Sequence, residues 1–273
     1  MLYGQSRYAI SEKGTPEGLA QISADDIRAY RGRVFARDNL RVAVAGDIDA
    51  STLSKVLDDV FGTLPARADI QPAQIFAPAQ SQQQTIAVDL PQTIVVFANF
   101  ASALDARQSL AASLFNQILS AQFTGRLFMA LREREGLVYS ISTERGIFSR
   151  FGSFYGSFGA APGNAERAMS LAMGEINRLV SEGPSEQELE DAKAAFRGGY
   201  YLGLDTSANL SQTLLAMLEQ RLPDTYLADF DSAIASITID EVKAAAKLVA
   251  RPDAMSIVSV GKVQQTEVLS VIP

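Results

Sequence analysis

One stretch of this 273-residue chain occurs twice, and the repetition restricts the fold more than any other feature. Ile22-Ser-Ala-Asp-Asp-Ile27, Ala36-Arg-Asp-Asn39 and Val42-Ala-Val-Ala-Gly46 recur 215 residues later as Ile237-Thr-Ile-Asp-Glu-Val242, Ala250-Arg-Pro-Asp253 and Ile257-Val-Ser-Val-Gly261, with one residue of slip in the middle segment. Each copy reads as a capped helix, a polar turn and an apolar strand closed by glycine. A repeat of this kind implies two domains of like fold. The second copy follows a long run of strands and helices, whereas roughly 20 residues precede the first, too few for a like domain. The expectation is therefore a first domain that lacks about 150 residues, the chain starting partway through a longer protein. The expected partition is residues 1–66 as the C-terminal part of a truncated first domain, 67–84 as a linker, and 85–273 as a complete second domain; the linker carries proline, alanine and a run of glutamine with weak apolar periodicity.

Apolar periodicity supplies the elements. Helices are predicted at 23–35 and 50–61, with a buried strand at 40–45 between them. Beyond the linker come strands at 85–89 and 93–100, helices at 106–119 and about 125–134, and strands at 137–143 and 151–158. Helices at 164–180, 185–199, 207–221 and 238–249 and a strand at 255–260 complete the pattern. The run Gly198-Gly199-Tyr200-Tyr201 reads as a bend, and the alternation Gly152, Phe154, Gly156, Phe158 as a strand face closely approached by another backbone. The fold class is α+β: two similar domains, each an antiparallel sheet packed with helices.

Composition excludes several functions. The chain has no histidine and no cysteine, so zinc, thiol and histidine-based acid/base chemistry cannot come from its own side chains in their usual form. A net charge of -7 and a pI near 4.8, with no basic run, argue against binding nucleic acid or an anionic membrane surface. No apolar stretch reaches the ~18 residues of a spanning helix. Residues 1–10 lack the order of a signal peptide. Gly152, Gly156 and Gly159 are not followed by the Lys-Ser or Lys-Thr of a phosphate loop, and the acidic set Glu186, Glu188, Glu190, Asp191 sits where a helix dipole favours acids.

Gly14-Thr-Pro-Glu17, the segment Asp38-Asn39-Leu40 to Gly46-Asp47, Gly125-Arg-Leu-Phe128 and above all Leu131-Arg-Glu-x-x-Gly136-Leu-x-Tyr139-Ser140 resemble the pitrilysin/insulinase family of zinc peptidases over nearly the whole chain. That resemblance implies two α+β domains of the mitochondrial processing peptidase type, the first incomplete here. The family's inverted zinc motif, His-x-x-Glu-His, has no counterpart in this sequence. The departure points to the branch in which two homologous subunits share the work, one binding zinc and the other supplying an arginine and a tyrosine. Arg132 and Tyr139 match that pair. The resemblance implies that they donate hydrogen bonds to substrate carbonyls and to the oxyanion, that Leu137, Val138 and Ser140 help hold the peptide through the strand edge, and that this chain binds no metal. Zinc is then expected in a homologous partner subunit or in the missing segment, the substrate is an unfolded peptide, and an exported, periplasmic setting is favoured. Two alternatives remain: a structural or assembly subunit of the same fold, and the tail of a single-chain zinc peptidase.

Overall fold

The structure, a computed structural model, describes residues 2–4, 6–71, 80–147 and 151–262. The chain forms two compact units. One comprises Gln5–Ala77 and Gly199–Leu227; the other comprises Met1–Gly4, Pro78–Gly198 and Ala228–Pro273. This division differs from the linear partition in grouping Gly199–Leu227 with the N-terminal segment. Residues 72–79 of the expected linker lie outside the described residues.

The N-terminal segment contains α1 (Pro16–Ala20), α2 (Ala24–Val34) and α3 (Ala50–Phe61). Asp49 caps α3 by accepting from the backbone N–H groups of Ser51 and Thr52. Next come β1 (Gln83–Ala87), β2 (Thr93–Ala101), α4 (Ala106–Ser120), a π-helical segment (Phe128–Arg134), β3 (Val138–Ile147), β4 (Gly152–Ala160) and α5 (Ala165–Glu182). α6 (Glu186–Leu202), α7 (Ser207–Gln220), α8 (Tyr226–Ala235), α9 (Ile239–Val249) and β5 (Ser256–Gly261) follow. α1 and α8 were not anticipated, and α6 continues as helix through Gly198–Tyr201. Neither glycine there meets a neighbour that forces the axis to turn.

The larger unit is built on a five-stranded sheet in the order β1-β5-β2-β4-β3. β1 and β5 are parallel, and the other pairs antiparallel. Its core lies on one face. Val95, Phe97, Asn99 and Ala101 of β2 are buried there, while Ile94 and Val96 on the opposite face are exposed, as alternation along a strand requires. Leu114, Phe115 and Leu119 of α4, Ile176 and Leu179 of α5 and Val242 and Val249 of α9 contribute to that core. The Phe97, Phe115 and Phe154 rings meet at centroid separations of 6.5 and 6.1 Å, each ring contributing about 1.5–3 kcal/mol of burial. Buried Asn99 joins α9 to β2: its Nδ2 donates to the Val249 carbonyl (2.8 Å), and its Oδ1 accepts from Arg251 N (3.2 Å). An orphan carbonyl at the end of α9 is thereby satisfied.

Both a backbone, as the sequence suggested, and a ring approach β4 closely at its glycines. A Cβ on Gly156 would lie 2.3 Å from Phe97 Cζ and 2.8 Å from the Ser142 carbonyl oxygen.

The two copies of the repeat agree up to a point. α2 and α9 both open on capping boxes, Ser23 with Asp26 and Thr238 with Glu241. Each is followed by a buried alanine, Ala36 or Ala250, and a single 3-10 turn. The copies then part. β5 is hydrogen-bonded on both sides, but residues 40–45 are irregular and partly exposed, and the N-terminal segment has no strand among its described residues. The strand expected there is corrected for a physical reason: a strand exists through its neighbours' hydrogen bonds, and the second copy has β1 and β2 beside it while the first has no strand beside it among the described residues.

Gly156→Ala should destabilise the protein by about 2 kcal/mol through overpacking against Phe97, read as a lowered midpoint in urea. A midpoint equal to that of the parent would show that the Phe97 ring moves aside without strain.

Candidate functional site

The site is built at the start of β3. After α4 the chain turns through residues 121–124 and re-enters helix at Gly125, where a Cβ would lie 2.5 Å from Ala121 N; no larger residue fits. Arg126 fastens this entry. Its Nε and Nη2 each donate to a Glu188 oxygen at 2.7 Å, and Nη2 also reaches the Gly183 carbonyl (3.3 Å). Glu188 in turn accepts from Ser185 N (2.8 Å). Arg126 first, and the Ser185 donors after it, hold the Glu188 carboxyl down at about 2. The acidic run at the start of α6 therefore fixes a loop; among the described residues no group of three or more acids could hold a metal ion.

Leu127, Ala130 and Leu131 bury one side of the following turn, which has the wide π-helical form often seen at functional positions. Gly136, at φ +61, then reverses the chain, and Leu137 N donates back to the Leu131 carbonyl (2.8 Å). β3 begins with a bulge between Val138 and Ile141. The bulge sends two successive residues, Tyr139 and Ser140, to solvent instead of one. This brings the Arg132 guanidinium carbon to 5.3 Å from the centre of the Tyr139 ring, a cation–π pair. Tyr139 is 77% exposed.

Neighbouring charges are already engaged. Arg134 lies 3.8 Å from Glu175, whose other oxygen pairs with Arg178, and Arg167 pairs with Glu135. Arg132 has no carboxylate within 4.0 Å among the described residues. Partly exposed and in no ion pair among the described residues, it suits a site that binds a carbonyl or carboxylate from elsewhere.

The expected substrate contacts divide. Ser140 is exposed beside Tyr139, whereas the side chains of Leu137 and Val138 are 6% and 3% exposed and belong to the core. Those two can meet a ligand only through their backbone. β3 is the last strand of the sheet, so one of its edges is free of a neighbouring strand. Sequence reasoning missed Phe123, held at φ +72 with its ring 65% exposed and edge-on to Phe128 at 5.4 Å. Only the backbone angle distinguishes it, and no sequence signal reports that.

The histidines and cysteines that zinc sites most often use do not occur in residues 1–273.

Three outcomes follow from this geometry. Tyr139→Ala should change stability by less than ~1 kcal/mol, because an exposed cation–π pair contributes no more; a larger loss in chemical denaturation would assign the ring a structural role. Gly136→Ala should cost about 1 kcal/mol from backbone strain alone, since nothing within 4 Å would meet its Cβ. Glu188, with its folded pKa lowered from 4.5 to about 2, stabilises the fold fully above about pH 5 and loses that contribution as the pH falls toward 2. The stability gap between the parent and Glu188→Gln, followed by denaturation from pH 7 to 2, should close over that window.

Residues 21–196 match the family model described as the peptidase M16 inactive domain. The chain is 25% identical over 239 residues to the non-peptidase homolog YmxG of Helicobacter pylori, covering 80% of this chain and 55% of that protein. It is 26% identical over 258 residues to an uncharacterized zinc protease of Streptomyces coelicolor, covering 90% and 55% respectively. The chain thus spans about half the length of the curated relatives it matches. Among solved structures, it superposes on a peptidase M16 inactive domain from Pseudomonas fluorescens with a TM-score of 0.89 and 27% identity, over 96% of this chain and 63% of that one. A chain of Complex III2 from Candida albicans shares the fold, with a TM-score of 0.78 at 18% identity over 95% of this chain and 64% of that one. With the model matching well over half its length, the chain belongs to the peptidase M16 inactive domain family.

Proposed function

We propose that this chain is the non-catalytic, zinc-less member of a zinc-dependent peptidase and that it positions an unfolded peptide for a homologous zinc-bearing partner. The carrying observation is the Arg132–Tyr139 pair at the head of the outermost strand, with Tyr139 exposed and Arg132 in no ion pair among the described residues. Arg132 supplies a planar fork of charged donors, and Tyr139 a single hydroxyl on a rigid arm. Together they hold the carbonyl groups flanking the bond to be cut and donate to the oxyanion that develops there, a contribution worth about 10² to 10³ in rate per donor. An extended peptide lies along β3, bonded through the backbone of Leu137 and Val138 and beside the side chain of Ser140. Bond cleavage itself belongs to the partner, where the zinc is held.

The N-terminal segment supports a further part of this reading. Leu19, Ile27, Tyr30, Phe35, Val56 and Val60 are all exposed, apolar side chains that a homologous partner could cover.

The test is peptide hydrolysis by this protein alone, with a zinc-bearing homologue, and with that homologue plus Arg132→Ala or Tyr139→Phe. Activity is expected only in the mixture and should fall about 10² or more in each variant while the complex still forms. Undiminished activity in both variants would favour the second reading, a scaffold subunit, to which the shared fold with the Complex III2 chain lends support.

A further inference from the structure

The described part of the larger unit contains nine arginines, and seven of them have a carboxylate within 4.0 Å: Arg107, Arg126, Arg134, Arg167, Arg178, Arg197 and Arg251. The two exceptions, Arg132 and Arg145, bracket the same strand. Arg132 precedes β3 and lies over its second residue, Tyr139; Arg145 sits near its far end.

Arg145 is held in place. It stands opposite Phe154 of β4, whose buried ring shows that this is the helix-covered face of the sheet. Its Nη2 donates to Ser113 Oγ of α4 (2.8 Å), and that hydroxyl is oriented by donating to the Ser109 carbonyl (3.0 Å). The same helix is fastened to the same strand one step further along. Thr143 Oγ1 lies 2.7 Å from both Asn116 Oδ1 and Ser120 Oγ, and Asn116 Nδ2 donates to the Thr143 carbonyl (3.1 Å). A row of polar side chains thus locks α4 against the outermost strand and ends at a half-buried guanidinium. One neutral hydroxyl is its only hydrogen-bond partner among the described residues. Burial acts on this group without an anion to offset it and draws its pKa below the usual arginine value. On the other face of β3 the adjacent acid, Glu144, is engaged by the Tyr155 hydroxyl. Each of these two adjacent charges thus rests on a neutral hydroxyl, and Arg145 is the one that is partly buried.

A partly desolvated cation with most of its donors unused is costly in the free protein, and a carboxylate brought to it is bound more strongly than at an open surface. We infer that Arg145 is the specificity residue of the β3 edge and that the extended peptide carries a carboxylate, a Glu or Asp side chain or its own C-terminus, opposite it. This rests on the proposed peptide-binding role and adds a substrate class to it. Six residues of strand separate Tyr139 from Arg145, roughly 20 Å at the strand rise, so the acidic group lies about six residues from the carbonyl held at Arg132. A side chain on the added strand reaches its directly opposite neighbour, which fixes the carboxylate to one position and its immediate diagonal.

The experiment is fluorescence anisotropy of the full chain with short labelled peptides of serine, threonine and valine, acetylated and amidated at their ends. A single Glu is moved along the peptide, and each peptide is compared with its Gln twin. Glu should bind about tenfold tighter than Gln at one position of the series and equally elsewhere. Arg145→Gln should abolish that preference and leave the affinity of the Gln peptides unchanged; Arg145→Lys should keep part of it, which separates lost charge from lost fold. A Gln peptide with a free C-terminus distinguishes a terminal from a side-chain carboxylate. Peptides that bind with no Glu preference, or a preference that survives Arg145→Gln, would overturn the assignment of Arg145 and leave the peptide-binding role standing. Absence of binding by every peptide would overturn that role and the inference together.

Discussion

Everything that positions the site depends on the ring of Phe97 occupying the space where Gly156 has no side chain. The ring spans two strands and meets Phe154, which meets Phe115 of α4. One aromatic contact thus registers β2 against β4 and sets how closely α4 can approach the sheet. Because β3 pairs only with β4, the outermost strand inherits its height and tilt from this packing. Interiors this dense deform poorly, so the edge strand is held as firmly as the core behind it.

Against that rigid background the irregular features are concentrated in one place. A π-helical turn, a left-handed glycine and a strand bulge follow one another between Phe128 and Ile141. Each alone would disturb regular structure. In sequence they place Arg132 over Tyr139 and turn both outward, while Leu131 and Leu137 secure the segment from within. The surrounding arginines are neutralised by acids of the chain itself, and the two that are not lie at either end of β3. Among the arginines described in the larger unit, only these two are left without an acid partner, and both lie along the edge that a ligand strand could occupy. Such a surface suits binding, consistent with a family described as inactive.

The two repeat copies show how far local sequence can carry a structure. Capping boxes form in both, because a hydroxyl and a carboxylate three residues apart satisfy helix N–H groups wherever they occur. The buried alanine and the single 3-10 turn also recur. Strand formation does not, since Val42 and Val44 have the same propensities as Val258 and Val260 but no neighbouring strand to donate to or accept from. Propensity is therefore sufficient for a helix and insufficient for a sheet.

The sequence by itself determined the α+β class, the helices whose periodicity and caps are local, the absence of histidine and cysteine, and the Arg132–Tyr139 spacing that pointed to the family. It did not show the π turn or the bulge that makes that spacing a contact, since both arise from how Leu127, Leu131 and Val138 are drawn into the core. Nor did it reveal that Arg145 is without a counter-charge, or that the buried side chains of Leu137 and Val138 leave only their backbone for a ligand. Those properties depend on which residues from distant parts of the chain come to lie nearby, and only the tertiary packing of α4, β3 and β4 decided that.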